Sequence, residues 1–558
     1  MATILLSAVG AAIGSGFGGT IMGLSGAVIG RAVGATLGRV IDQRVLGGGS
    51  EVVETGRVDR FRLMGASEGS AIGQVFGRAR IAGQVIWATQ FQESITTSGG
   101  GKGVPQPRTT EYSYSVSLAV ALGLGRITNV GRIWADGVEL APNSINLRVY
   151  DGAEDQLPDP RIEAVEGVGM APAYRGIAYV VIEDLALAPF GNRVPQFSFE
   201  VVRAAQGAFA DSVMDLQRAI SAVALIPGTG EYALATTQIH YSAEPGVNRS
   251  ANVHSPSGET DFATSLSQLR AELPNCGSVS LVVAWFGSDL RCAACEVMPK
   301  VEQSDLDGEG MPWRAGGIAR AQAAVVPKVD ERSIYGGTPA NRSVIEAIAA
   351  IREGGQEVMF YPFILMDQLA GNALADPWTG ATDQPALPWR GRITLSQAPG
   401  RAGSPDRTAG AADEVAAFFG TAQPDDFAVV NGEIVYSGPS EWRYRRFILH
   451  YAHLCALAGG VDAFCIGSEM VALNQIRGVG DIFPAVAMMR QLAAEARAIL
   501  GPGVKLTYAA DWSEYFGYHT DGSVYFHLDP LWADANVDFV GIDNYMPMSD
   551  WRAARQTR

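Results

Sequence analysis

Cysteine is scarce in this sequence, five in 558 residues, which is too few to build a disulfide scaffold. Cys276, Cys292 and Cys295 nevertheless cluster, and the last two have CxxC spacing. No second CxxC and no nearby His pair completes a tetrahedral site, so a structural disulfide, unpaired thiols and zinc all stay open. No cofactor motif is read. Blocks of Lys and Arg interleaved with aromatics are also missing, and together with a net charge of −16 this argues against a sequence-reading nucleic-acid binder. An acidic surface suits a channel through which DNA slides without sticking, and equally an ordinary soluble protein. No basic residue precedes the apolar N-terminal run, so that run does not read as a signal peptide.

What is present begins with length. At 558 residues the chain exceeds one hydrophobic core, and three or more domains are expected. Residues 1–50 form a Gly/Ala-rich apolar segment, uncharged from Ile4 to Gly30. As a helix that stretch extends about 40 Å, enough to cross a hydrocarbon layer of about 30 Å. Small residues recur at four-residue spacing (Gly14 and Gly18, Gly19 and Gly23, Gly26 and Gly30), which lets helix backbones approach closely. Helix packing inside an oligomer, membrane contact of residues 4–30 and a flexible tail are the three readings.

From residue 51 to 205 the texture changes to short alternating strands with turn signals, an antiparallel β-rich region. Tyr112 to Leu122 (YSYSVSLAVAL) alternates, Trp134 to Leu140 (WADGVEL) holds an Asp-Gly hairpin turn, and Tyr174 to Leu187 (YRGIAYVVIEDLAL) is a further strand. Ser98 to Pro107 (SGGGKGVPQP) is a loop between strands. Residues 206–257 are a connector, with a helix expected over Asp211 to Leu225. Another helix follows over Gly258 to Leu273, with Thr260 or Asp261 placed to cap it.

Residues 258–558 alternate strand and helix, which implies right-handed parallel units, in a barrel or an open sheet. Candidate strands are Ser278–Gly287, Ala321–Val326, Glu357–Leu365, Asp462–Gly467, Lys505–Trp512 and Val537–Tyr545. Helices are expected over Asn341–Glu353, Glu441–Leu457 and Pro484–Leu500. The connection Met366–Gly438 is rich in Pro, Gly and Asp, as a lid or rim over a barrel mouth would be. Polar and aromatic residues gather at the expected strand ends. Glu469, after the apolar run of VDAFCIGSEM (Val461 to Met470), is the leading catalytic candidate, with Asp511, Glu514 and Asp543 as candidates for a second carboxylate, since glycoside hydrolysis usually needs two. Trp285, Tyr361, Trp512 and Tyr545 are candidate substrate-binding aromatics.

The series GQVFGRARIAGQVIWA (Gly73 to Ala88), YSYSVSLAVAL, IWADGVEL, YRGIAYVVIEDLAL and FGNRVPQFSFEV (Phe190 to Val201) resembles the phage tail hub and tip family, over Val52 to Arg203. The texts LVVAWFG, VMFYPFILMD, FCIGSEM and VDFVGIDNYMPMSDW resemble the glycoside-hydrolase-like TIM-barrel domain of gene transfer agent baseplate proteins. Together the two resemble the N-terminal part of the multidomain, megatron-type baseplate hub. The resemblance implies a homotrimeric β-rich ring contacting tail tube and other baseplate proteins, with DNA passing through without sequence recognition. It also implies a particle assembled in the bacterial cytoplasm, and a barrel that cleaves or binds host envelope polysaccharide.

In the retaining glycosidases that the barrel resembles, the acid/base Glu follows strand four, and Glu469 takes that place. An Asn commonly precedes that Glu, whereas here the residue is Ser468. The family nucleophile follows strand seven, beyond Arg558, so the expectation is an incomplete barrel of six strands.

Overall fold

The computed structural model describes residues 20–21, 24–25, 52–55, 70–98, 108–141, 144–208, 212, 214, 216–228, 230–244, 247–255 and 258–546. Of the glycine-rich segment only 20–21 and 24–25 are described, as a short antiparallel pair, and the rest of the helix expected over residues 4–30 lies outside the described residues. So do most of the loop expected over Ser98 to Pro107 and the chain from residue 547. The chain divides into two compact units at Ala204/Ala205. Among the described residues no helix is long and apolar enough to cross a membrane.

The first unit is built on Arg108–Leu124, a 17-residue strand. It pairs antiparallel with Ile177–Ala186, Gln84–Ala88 and Gln92–Ser98, and a second sheet joins Gly77–Ala82, Phe197–Arg203 and Asn129–Ala135. The alternation of Tyr112 to Leu122 predicts one wet face, yet Val116 to Leu122 are buried throughout. The small residue Ala119 lies under Ile162 of the helix Pro160–Glu166 and under Tyr179, so that helix covers what the pattern leaves open. The expected hairpin turn is present, with Asp136 and Gly137 at φ 50° and 84°, the left-handed pair a two-residue hairpin needs.

The second unit carries a parallel sheet. Its strands are β1 (Ala222–Leu225), β2 (Ser278–Gly287), β3 (Glu357–Met366), β4 (Ala463–Ser468), β5 (Lys505–Asp511) and β6 (Gly541–Asp543), neighbours in that order. Helices intervene: α1 (Asp261–Glu272), α2 (Asn341–Glu353), α3 (Ala409–Phe419), α4 (Tyr444–Leu457) and α5 (Pro484–Leu500). Thr260 caps α1 by accepting from the Ala263 N–H at 3.3 Å, satisfying one of the donors a helix start leaves open.

Two expectations are corrected here. Ala321–Val326 is not a sheet strand, because Arg320–Gln322 forms a tight 3₁₀ turn and Ala324–Val325 pairs only with Lys300–Val301. Its place in the count is taken by Ala222–Leu225, read as helix from sequence, where the helix Leu216–Ala219 ends and the chain extends alongside Ser278–Leu281. Four apolar residues are too few for periodicity to separate strand from helix. Among the described residues the count stays at six, and Glu469 still follows the fourth strand.

Side chains alternate across the sheet with period two. Val279, Leu281, Val283 and Trp285 of β2, Phe360 of β3, Phe464 and Ile466 of β4 and Leu506 and Tyr508 of β5 pack against the helices in one buried core. Tyr361, Cys465 and Ala509 form a separate cluster on the opposite face. Beside the sheet, Arg320 pairs with Glu231 at 3.1 Å and Asp307 at 3.0 Å, and Glu231 is fully buried. This network anchors a small core around Tyr232 and Trp313.

Candidate functional site

The carboxyl end of β4 is shaped by close packing. A Cβ on Gly467 would fall 2.2 Å from the Tyr444 hydroxyl, which donates to the Ile466 carbonyl at 2.8 Å, so glycine lets α4 lie tight against the strand. Two residues on, Glu469 adopts φ 50°, a left-handed conformation uncommon for a side chain of this size. The surroundings hold it there. Its N–H donates to the Ala509 carbonyl at 2.9 Å, and the next N–H, of Met470, donates to the Tyr508 hydroxyl at 2.8 Å. Strained backbone kept by its neighbours is a common feature of functional sites.

Glu514 supports this turn from behind. It is fully buried and accepts from Asn474 at 2.8 Å, from Tyr508 at 3.1 Å and from the Asp511 N–H at 3.2 Å. Burial pushes its carboxyl up to about 7. Glu514 therefore braces the loop and, contrary to the sequence expectation, does not supply the mouth's second carboxylate.

The Glu469 carboxylate is 5% exposed and is held by two residues absent from the sequence-derived candidates. Trp389 Nε1 donates to Oε2 at 2.8 Å, and the Arg390 guanidinium pairs with the same oxygen at 3.0 Å. Arg390 also donates to the Ser468 carbonyl at 3.0 Å and to its Oγ at 2.9 Å, and lies 3.7 Å over the Phe363 ring. Ser468, where the resembled glycosidases place Asn, thus binds a protein arginine. Both residues come from the long connection after β3, expected to form a rim. The available signal was the aromatic-cation doublet in PWRGR (Pro388 to Arg392).

Three of the candidate carboxylates do stand at successive strand ends. Asp511 and Asp543 are register partners on β5 and β6. Burial first, and the adjacent Glu469 charge next, push Asp543 up to about 6, while the Tyr361 hydroxyl donating to it works the other way. Asp511 is tied locally, accepting from the Ser513 N–H at 2.9 Å and from its hydroxyl. Of the aromatics, Tyr361 and Tyr545 line the inner cavity with Asp543, and Tyr545 is 68% exposed. Trp512 is half-buried, its N–H on the Asp543 carbonyl at 3.0 Å.

Trp285 is a correction. Its parity on β2 turns it toward the helices, where it is fully buried, donates to the Tyr451 hydroxyl at 2.9 Å and packs on Phe447 and Trp442. It is core and not a substrate contact.

The inner face of the sheet opens into a cavity of about 770 Å³, lined by Val282, Met359 and Phe363 in its apolar part and by Tyr361, Asp543 and Tyr545 toward the mouth. All five cysteines are buried free thiols, and burial holds the Cys292 and Cys295 thiols above their ordinary range. The CxxC pair is therefore packing rather than a disulfide. Among the described residues no group of His, Cys, Asp and Glu is arranged to hold a metal ion.

The family model described as the GTA TIM-barrel-like domain matches residues 442–558. Among solved structures, a chain of the virion of a native gene transfer agent (GTA) particle is 60% identical over 40% of this chain and 44% of its own, with a TM-score of 0.24. A GH113 β-1,4-mannanase is 17% identical over 52% of this chain and 59% of its own, with a TM-score of 0.25. A GH113 β-mannanase from Alicyclobacillus acidocaldarius is 17% identical over 48% and 53%, with a TM-score of 0.22. The chain thus spans less than two thirds of each of these relatives, and at such TM-scores the superpositions say nothing about the arrangement of the whole. No curated protein matches the chain. On the family match and the 60% identity, the resemblance to gene transfer agent tail proteins holds: the chain is similar to a protein of that particle and carries a GTA TIM-barrel-like domain in residues 442–558.

Proposed function

We propose that this protein is a component of a gene transfer agent particle, a trimeric tail-baseplate hub working in DNA delivery, whose barrel unit engages a polysaccharide of the recipient envelope. The observation that carries the barrel reading is the mouth itself. Glu469, held by Trp389 and Arg390, and Asp543, held by the Tyr361 hydroxyl, stand at the carboxyl end of one sheet with the exposed rings of Trp389 and Tyr545, and a sugar presents just such a pattern of hydroxyls and apolar ring faces.

The test is to incubate the full chain with purified peptidoglycan and with capsular polysaccharide. Co-sedimentation without release of reducing ends supports a binding mouth. Release of reducing ends that is lost in Glu469→Gln would instead make it a hydrolase, and neither result would remove the polysaccharide reading. For the hub, light scattering at high concentration should find a trimer, and cross-linking within intact particles should join this chain to tail-tube protein; its absence from particles overturns the assignment.

A further inference from the structure

The turn Trp389–Arg390–Gly391 belongs to none of the strands that build the mouth, yet both Trp389 and Arg390 bond the Glu469 carboxylate. Its three residues divide the labour. Arg390 is 4% exposed and fixes the turn to the end of β4 through both the Ser468 carbonyl and hydroxyl. Gly391 makes room: Cζ2 and Cη2 of the Trp389 ring both lie 2.5 Å from where a Cβ on Gly391 would stand, so any larger residue would push the indole off its place. Trp389 itself is 42% exposed although its N–H is spent on Glu469. A tryptophan anchored by its polar edge at a buried carboxylate, with ring surface left in water, is pre-organised for a partner that stacks on the ring while its polar groups reach that carboxylate.

We propose that Trp389 is a ligand-binding residue, the platform on which a pyranose ring stacks so that its hydroxyls meet Glu469, with Arg390 and Gly391 as the residues that position it. This deepens the reading of the barrel as a polysaccharide-engaging unit and rests on it. A cationic peptide fits less well, because the Glu469 oxygen facing the turn already carries two donors, whereas a hydroxyl can donate to one atom and accept from another. Tyr545, which lines the cavity with Asp543, supplies a second exposed ring.

The experiment is calorimetric titration of the full chain with soluble peptidoglycan fragments, alongside Trp389→Phe, Trp389→Leu and Gly391→Ala, with thermal melts as the folding control. Loss of one stacked aromatic corresponds to about a tenfold weakening. Trp389→Leu should therefore bind about tenfold more weakly, Trp389→Phe should recover most of that loss because it keeps a ring face, and Gly391→Ala should resemble Trp389→Leu with its melt unchanged. Equal affinity of Trp389→Leu and the parent overturns the platform while leaving the barrel's polysaccharide reading intact. No binding by the parent overturns both. A loss in Trp389→Leu that Trp389→Phe does not rescue also overturns stacking, and assigns the effect to the indole N–H alone.

Discussion

Tyr361 on β3 donates its hydroxyl to Asp543 on β6, 182 positions later, although β4 and β5 lie between their strands. Two side chains separated by two strands can meet only if the sheet curls. The contact is therefore both a measure of the curvature and the link that gives Asp543 its setting.

That setting is testable by titration. Asp543 is pushed up to about 6 by burial and by Glu469, against the opposing hydrogen bond from Tyr361. Carboxyl ¹³C NMR should find Glu469→Gln lowering the Asp543 midpoint by about 1 unit, as expected on losing a neighbouring like charge, and Tyr361→Phe raising it. A midpoint that moves the other way in either variant refutes the arrangement.

Glu514 should make the barrel unit less stable in alkali. Its carboxyl titrates near 7 when folded against roughly 4.3 when unfolded. The folded state therefore holds the proton more tightly: the stabilisation is fully present below the unfolded value and is lost as pH rises through about 7. The span corresponds to about 4 kcal/mol. Urea midpoints of the barrel unit between pH 5 and 8.5 should fall for the parent and flatten in Glu514→Gln; parallel slopes would count against it.

Trp285→Ala should cost about 3–5 kcal/mol, as large aromatic truncations in a core do, and leave glycan affinity of the folded protein unchanged. Denaturation and titration on the same sample separate the two effects. A weakened affinity with an unchanged melt would return Trp285 to the mouth.

Arg320→Met leaves Glu231 buried without its cation. Removing one member of such a pair costs about 3–5 kcal/mol, and limited proteolysis should cut first in the segments around Tyr232 and Trp313. The double variant Glu231→Gln with Arg320→Met should recover part of the loss, and no recovery would mean the two charges are not coupled.

The sequence by itself determined that strands and helices alternate in the second unit, the Asp-Gly hairpin of the first, the helices Asn341–Glu353 and Pro484–Leu500 to the residue, and the position of Glu469 after a buried strand, but not which segments were the first two strands. These follow from local rules: apolar periodicity, turn residues and the length of a run. The partners of Glu469 could not be reached that way. Trp389 and Arg390 lie about 80 positions before it, in a loop without periodicity. Trp285 and Tyr361 look alike as aromatics on apolar strands, yet parity across the pleat sends one to the helices and the other to the cavity. Asp511, Glu514 and Asp543 are equal as letters. Only the curl of the sheet and the burial behind β5 make one a brace, one a local turn and one the partner of Tyr361 across two strands, because contact and desolvation are properties of the packed chain and not of any stretch within it.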